Sequence, residues 1–480
     1  MSLGISFAFV VYLFIMMSIG VYFYFKTNDL SDYILGGRNL GPGVAALSAG
    51  ASDMSGWLLL GLPGALYAGG MNSIWIAIGL TIGAFLNWQF VARRLRNYTE
   101  KAGNSITIPD YLENRFEDSS RVLRVISALV ILIFFTIYVS SGLVGGAILF
   151  EKTFGLQYQT ALWVGALVIV AYTFLGGFMA VTLTDFIQGI LMFCALLLVP
   201  MIAINLTGGW DKILLAVNSV NPEHLDAFSG MTSIGIISLM AWGLGYFGQP
   251  HILTRFMALK NPDDAPKAQV VGMSWMVLGL FGAIFTGFAG IGFLETPLDN
   301  PETVFIVLTE TLFNPWVAGV FLAAILSAIM STIDSQLLVC SSAVAEDFYR
   351  SILKKEASQK ELVWIGRGAV LILALVATAF ASNPESRVLE LVSYAWGGFG
   401  AAFGPVILFS LFWRKMTKNG ALAGIVTGAV TVIVWKNLNG GIFDVYEILP
   451  GFILCSIAVV SVSLSGKGPS SSMKAVFDEF

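Results

Sequence analysis

The run Ala45-Ala46-Leu47-Ser48-Ala49-Gly50-Ala51-Ser52-Asp53-Met54-Ser55-Gly56-Trp57 places a carboxylate inside an apolar stretch that extends from Val44 to Leu62. An acid at the centre of a membrane helix costs about 2.5–3.5 kcal/mol on insertion scales, so Asp53 must have a reason to be there. Gly50, Gly56, Gly61 and Pro63 surround it, with hydroxyls at Ser48, Ser52 and Ser55. Such residues loosen a helix and let main-chain carbonyls turn toward a ligand. A helix interrupted at mid-membrane beside an acid is one way a transporter holds a cation and a solute together. A structural pairing of Asp53 inside an ordinary glycine-rich helix is the competing reading.

A second interruption is Trp242-Gly243-Leu244-Gly245-Tyr246-Phe247-Gly248-Gln249-Pro250. On an α-helical period Trp242, Tyr246 and Pro250 share one face, where aromatic rings can hold an apolar solute or simply pack helices. A third polar stretch, Ser327-Ala328-Ile329-Met330-Ser331-Thr332-Ile333-Asp334-Ser335, puts hydroxyls and an acid into another apolar run. Hard oxygen donors of this kind suit a small monovalent or divalent cation. Asp185, at the start of a further run, is either a buried acid or an interfacial, solvated one. Tyr138 reads as a core hydrogen bond or a pocket wall. There is no metal-binding His/Cys spacing, no phosphate-cradling GxxxxGK[ST] loop and no nucleophile–base pair, which argues against an ATP-driven pump and against an enzyme.

The elements that must position these residues are membrane helices. Of 480 residues 56% are hydrophobic and 12% charged, and the mean hydropathy is +0.80, which excludes a soluble globular domain. Apolar runs of about 20 residues, each able to cross the hydrocarbon core, predict about thirteen spans. They fall near 3–25, 41–66, 73–92, 122–150, 159–179, 182–207, 231–254, 268–293, 304–345, 362–382, 388–412, 420–436 and 445–465. No basic residue precedes Lys26, so the first run reads as a span and not as a cleaved signal. With this count, all of the 26 Lys and Arg residues except Lys152, Lys212, Arg387 and Lys436 fall on one side. The positive-inside rule then puts the N-terminus outside and the C-terminus in the cytoplasm. The two interruptions lie five spans apart, an odd offset that inverts one relative to the other, as in an inverted-topology repeat. The basic loop between Arg93 and Arg124 reads as the orientation signal, touching membrane lipid and not nucleic acid.

Gly37-Arg38-Asn39-Leu40, the run from Ala46 to Trp57, and Tyr394-Ala395-Trp396-Gly397-Gly398-Phe399-Gly400-Ala401-Ala402-Phe403-Gly404-Pro405 resemble the solute:sodium symporter family, within it the proline-transporting bacterial members. The resemblance implies an all-α polytopic protein with a LeuT-type core of two inverted five-helix repeats (41–207 and 231–412). One extra helix would precede the core (1–40) and two would follow it (413–480). It implies sodium-coupled symport of L-proline across the bacterial cytoplasmic (inner) membrane by a protein that works as a monomer. Sodium would be held by the carbonyls of Ala51, Met54 and Ala328 and the hydroxyls of Ser331 and Thr332, with Asp53 required for coupling. Ser55, Gly56, Trp57, Tyr138, Trp242, Tyr246 and Pro250 match positions of the proline pocket, where free amides near Ser55 and Gly56 would hold the carboxylate. Asp185, Asp334 and Ser335 match a second cation site of some relatives. A family symporter for a monocarboxylate, pantothenate or a sugar is the alternative; a non-transporting membrane sensor is a more distant one.

Overall fold

The computed structural model describes residues 2–26, 30–175 and 177–479, with no strand among them. Residues 27–29, in the first expected loop, and 176, at the end of the fifth expected span, lie outside the described residues. In chain order the principal helices are α1 (Leu3–Tyr24), α2 (Pro42–Asp53), α3 (Leu62–Gly69), α4 (Ile74–Leu86), α5 (Val122–Phe154), α6 (Tyr158–Leu175), α7 (Phe178–Thr207) and α8 (Ser233–Met240). There follow α9 (Pro250–Met257), α10 (Ala265–Phe293), α11 (Pro315–Ser342), α12 (Gln359–Phe380), α13 (Val388–Phe412), α14 (Lys418–Trp435), α15 (Ile448–Ser465) and the short α16 (Ser471–Asp478). Among the described residues ten helical stretches are long and apolar enough to cross a membrane, and two shorter apolar ones fall on further expected spans. Phe14, Leu167, Met201, Ile372 and Leu375 stand exposed on the outside, while Asp53, Asp185, Asp334 and Arg255 are buried. An apolar exterior around a polar interior is what a lipid solvent demands.

Both expected breaks are present. α2 begins at Pro42, whose fixed φ suits a first turn, and stops at Asp53; Met54 leaves the helix (φ −78°, ψ 67°). A wider π-type turn, Trp57–Gly61, leads into α3. The second break is larger: α8 passes into a 3₁₀ segment, Ala241–Gly248, then an extended Gln249, before Pro250 opens α9. Because a 3₁₀ turn holds three residues, four positions advance the direction by about 120°. Trp242 and Tyr246 therefore do not share the single face that an α-helical period predicts.

The glycines of this segment serve close approach. A Cβ on Gly243 would lie 2.2 Å from the Gly79 carbonyl oxygen of α4, and one on Gly83 would lie 2.1 Å from the Gly243 carbonyl oxygen. Overpacking of this kind costs about 1–3 kcal/mol. Gly243→Ala is accordingly expected to lower the thermal midpoint of the purified protein; an unchanged midpoint would show that α4 and the segment move apart freely.

The expected ninth span, 304–345, is in fact two helices. Val304–Leu312 ends before Asn314, whose side chain caps α11 by accepting from the amides of Trp316 (3.1 Å) and Val317 (3.3 Å). An Asn-Pro pair inside a continuous apolar run carries this stop. α11 then continues as a π-type turn to Leu353.

Arg38, Arg96, Arg115, Arg124, Arg414 and Lys418 are joined through their contacts at one end of the molecule, the basic face. It is closed by main-chain bonds between the flanks of the two broken helices, Leu40 N–H to Ala258 O (3.0 Å) and Lys260 N–H to Leu40 O (2.9 Å). Arg38 adds bonds to Met257 O and Ser105 O, each 2.7 Å. Arg124 there meets Asp347 (2.7 Å), Asp110 (3.3 Å) and Glu346 (3.3 Å). Toward the opposite face lies an open cavity of about 400 Å³, lined by Gly61, Ile76, Trp242, Glu302, Arg387 and Ser393 among others. Glu302 accepts from the amides of Val388 (3.0 Å) and Leu389 (3.1 Å) and so caps α13 at the rim.

Candidate functional site

The frayed C-terminal end of α2 faces the middle of α11. The Ala51 carbonyl accepts from Ser331 Oγ at 2.7 Å and from Thr332 Oγ1 at 3.5 Å, and Ser331 Oγ also reaches the Ala328 carbonyl at 3.2 Å. Ala51, Met54, Ala328, Ser331 and Thr332 are all buried. The structure thus brings together the carbonyls of Ala51 and Ala328 and the hydroxyls of Ser331 and Thr332 from two helices, hard oxygen donors of the kind suited to a small cation, with Met54 at the adjoining break. The negative end of the α2 macrodipole adds to the attraction.

Asp53 is the last residue of α2. Its Oδ2 accepts from the Tyr246 hydroxyl at 2.5 Å, which joins the first broken helix to the second across 193 residues of sequence. Its Oδ1 has no partner among the described residues. Asn87 on the extension of α4 donates to the Tyr246 carbonyl (3.0 Å), and its own Oδ1 is likewise free. Asp53, Asn87 and Tyr246 line a cavity of about 20 Å³, large enough for one water.

The aromatic residues form a wall around this point. Trp57 donates its indole N–H to the Asp53 carbonyl (3.3 Å), and its ring lies 6.3 Å from that of Trp242. Trp242 meets Tyr446 in turn at a tilt (5.6 Å), and Tyr246 meets Trp396 edge-on (5.1 Å). Trp396 donates to the Trp242 carbonyl at 2.7 Å, so an indole from α13 satisfies backbone that the 3₁₀ segment releases. Tyr138 is buried beneath, its hydroxyl on the side of Ser55. Pro250 opens α9 below the wall. Ser55 and Gly56 sit in the break itself. The Ser55 N–H, expected to be free for a carboxylate, donates instead to the Asp53 carbonyl at 2.9 Å and closes a short turn.

Of the residues expected at a second cation site, Asp185 and Ser335 share the Arg255 guanidinium, while Asp334 turns elsewhere. Asp185 Oδ2 accepts from Ser48 (2.6 Å) and from Arg255 Nη2 (3.2 Å), and Arg255 Nη2 also reaches Ser335 Oγ (2.5 Å). The guanidinium therefore stands between Asp185 and Ser335. Asp334 turns toward the Thr173 hydroxyl on α6. Asp185 is fully buried and not interfacial, and Arg255, counted above among the loop charges, is fully buried as well. Long-range ion pairing of this sort leaves no periodic trace in a sequence.

A broken-helix pair, with an oxygen-donor set at one break and an acid-tethered aromatic wall at the other, defines a secondary transporter of the LeuT type. The family model for the sodium:solute symporter family matches residues 33–428, and the chain belongs to that family. It is 57% identical over 478 residues to the sodium/proline symporter of Escherichia coli K12, covering 98% of this chain and 95% of that one. It is 53% identical over 469 residues to the high-affinity proline transporter PutP of Bacillus subtilis, with 97% and 99% covered. Among solved structures it resembles a Na⁺-coupled sialic acid symporter in a substrate-bound outward-open state, with a TM-score of 0.82, 18% identity, and 98% and 99% of the two chains covered.

Proposed function

We propose that this protein carries L-proline and sodium together into a bacterial cell, by alternating access across the cytoplasmic membrane. The observation that carries the reading is the Asp53–Tyr246 bond set between the Ala51/Ser331/Thr332 oxygens and the Trp57/Trp242 wall. Relatives at 50–57% identity that bear the names of proline transporters support proline as the solute. In this reading the basic face is cytoplasmic, the repeats span 41–207 and 231–412, and the flanking segments 1–40 and 413–480 are additions to the core. The N-terminus then lies outside, the C-terminus inside, and the transporting unit is one chain in its lipid.

The coupling follows from the bonds. The Ser331 and Thr332 hydroxyls donate to the Ala51 carbonyl. Sodium would turn both hydroxyls into acceptor-type ligands and bind them, with the Ala51, Met54 and Ala328 carbonyls, around one charge. This fixes the end of α2, hence Asp53, hence Tyr246 and the wall that receives the solute ring. The two ligands must then raise each other's affinity by one common factor. Entry is through the open 400 Å³ cavity that Trp242 helps to line. Arg255 supplies the positive charge between Asp185 and Ser335, which supports one sodium per solute.

The test is uptake by the purified protein in liposomes. An inward sodium gradient is expected to drive accumulation of labelled L-proline, and unlabelled proline is expected to compete better than a panel of monocarboxylates, pantothenate and sugars. Competition by a member of the panel in preference to proline would reassign the solute. Gradient-independent behaviour would remove the symport reading.

A further inference from the structure

On the basic face α13 and α15 end at one level, where the Thr417 N–H donates to Ser463 Oγ at 3.2 Å. The short α16 lies beside these ends, with Met473, Val476 and Phe477 packed against the core. It is held there by ion pairs of Arg414 with Asp478 (2.5 Å) and of Lys101 with Glu479. Among the three helices is an open cavity of about 580 Å³. Phe412, Trp413, Leu464 and Phe477 give it apolar surface, and Arg414, Lys415 and Lys474 give it positive charge. No acid lines it among the described residues.

That charge is only partly met. Arg414 is neutralised by Asp478, whereas Lys415 and Lys474 have no ionic partner among the described residues. Two more guanidiniums back the aromatic wall. Arg94 lies 5.0 Å from the Phe412 ring and 5.3 Å from that of Phe477, and Arg115 lies 5.3 Å from the latter. The open cavity on the opposite face, by contrast, sets Glu302 and Glu390 against Arg387. Phe412 and Leu464 are exposed, and Leu464 continues the exposed row of Ile453 and Ile457 along α15 at helical spacing. An occupant of the basic cavity therefore meets unpaired cations and membrane hydrocarbon together. A soluble anion would leave the apolar wall unused, and a zwitterionic lipid would leave the lysines uncompensated.

We propose that this cavity seats one anionic glycerophospholipid, its phosphate taken by Lys415 and Lys474 and its acyl chains running past Phe412 and Leu464 into the bilayer. Each cation near a membrane surface strengthens such binding about fivefold. The site is separate from the Asp53 break and is the same whichever solute the protein carries.

The test titrates the full-length protein, purified in a neutral maltoside detergent, with dioleoylphosphatidylglycerol or dioleoylphosphatidylcholine and reads bound lipid by native mass spectrometry. The unmodified protein should hold phosphatidylglycerol at least about tenfold more tightly than phosphatidylcholine. Lys415→Gln with Lys474→Gln should weaken phosphatidylglycerol at least about tenfold and leave phosphatidylcholine within about twofold. Lys415→Arg with Lys474→Arg should keep the unmodified affinity within about threefold. Lys212→Gln with Lys436→Gln removes the same charge elsewhere and should change neither lipid. Equal affinity for the two lipids in the unmodified protein would overturn the proposal, as would an unchanged preference in the Lys415/Lys474 glutamine variant. An equal loss in the Lys212/Lys436 variant would overturn it too, since net charge alone would then explain the binding. Displacement of phosphatidylglycerol by millimolar inorganic phosphate or glycerol phosphate would assign the cavity to a soluble anion and remove the lipid.

Discussion

Asp53→Asn is expected to abolish sodium-stimulated proline uptake at low sodium while the protein still folds and reaches the membrane. Asparagine is nearly isosteric, so the turn at Met54 and the contact with Trp57, made through the Asp53 carbonyl, are kept. What goes is a full negative charge beside the oxygen set of Ala51, Ser331 and Thr332. At an effective dielectric of about 20, a unit charge about 5 Å away contributes about 3 kcal/mol, over a hundredfold in cation affinity. The charge-assisted bond from Tyr246 also weakens to a neutral one, at a cost of about 1 kcal/mol or more. The expected readout is a sodium requirement at least about a hundredfold higher, with normal amounts of protein in the membrane. Near-normal sodium affinity in this variant would mean that Asp53 is a structural partner of Tyr246 and nothing else.

The Arg255–Asp185 pair should give the largest effect on stability. Both side chains are fully buried, and the guanidinium is shared among Asp185, Ser48, Ser335 and the His251 carbonyl. These contacts join α2, α7, α9 and α11, one from each broken helix and two from the surrounding scaffold. Removing one charge strands the other in the interior, which costs about 3–5 kcal/mol, whereas removing both with apolar groups of similar volume is often neutral. Arg255→Met is therefore expected to lose most of its folded protein at growth temperature, and Arg255→Met with Asp185→Leu to recover much of it. The thermal midpoints of the two single variants and the double variant measure the coupling. Equal loss in the double variant would show that the two side chains act separately.

Much of the site is legible in the sequence. Asp53 and Asp334 announced themselves because acids in apolar runs are expensive, and the glycine-rich breaks because helices lose stability there. The oxygen set on α11 was visible as a cluster of hydroxyls with helical spacing. The family resemblance of those segments gave the pairing of Ala51 with Ser331 and Thr332. Other features have no local signature. The bond from Tyr246 to Asp53 and the Arg255–Asp185 pair join residues 193 and 70 positions apart, and nothing in either neighbourhood names its partner. Arg255 was hidden further by its place near the end of a span, where an arginine ordinarily marks the membrane surface. The 3₁₀ form of 241–248 depends on Trp396 from α13 and on glycine contacts with α4, so an α-helical period misplaced Trp242 relative to Tyr246. Asn314-Pro315 did carry a local stop signal, which the length of the apolar run obscured.

The central claim is that one cation at the end of α2 organises the solute wall through Asp53 and Tyr246. Its most direct test is a pair of equilibrium titrations on the purified protein: proline with and without sodium, and sodium with and without proline. Each ligand should tighten the other by the same factor, and that factor should vanish in Thr332→Ala. Proline binding of equal strength in the absence of sodium would contradict the account.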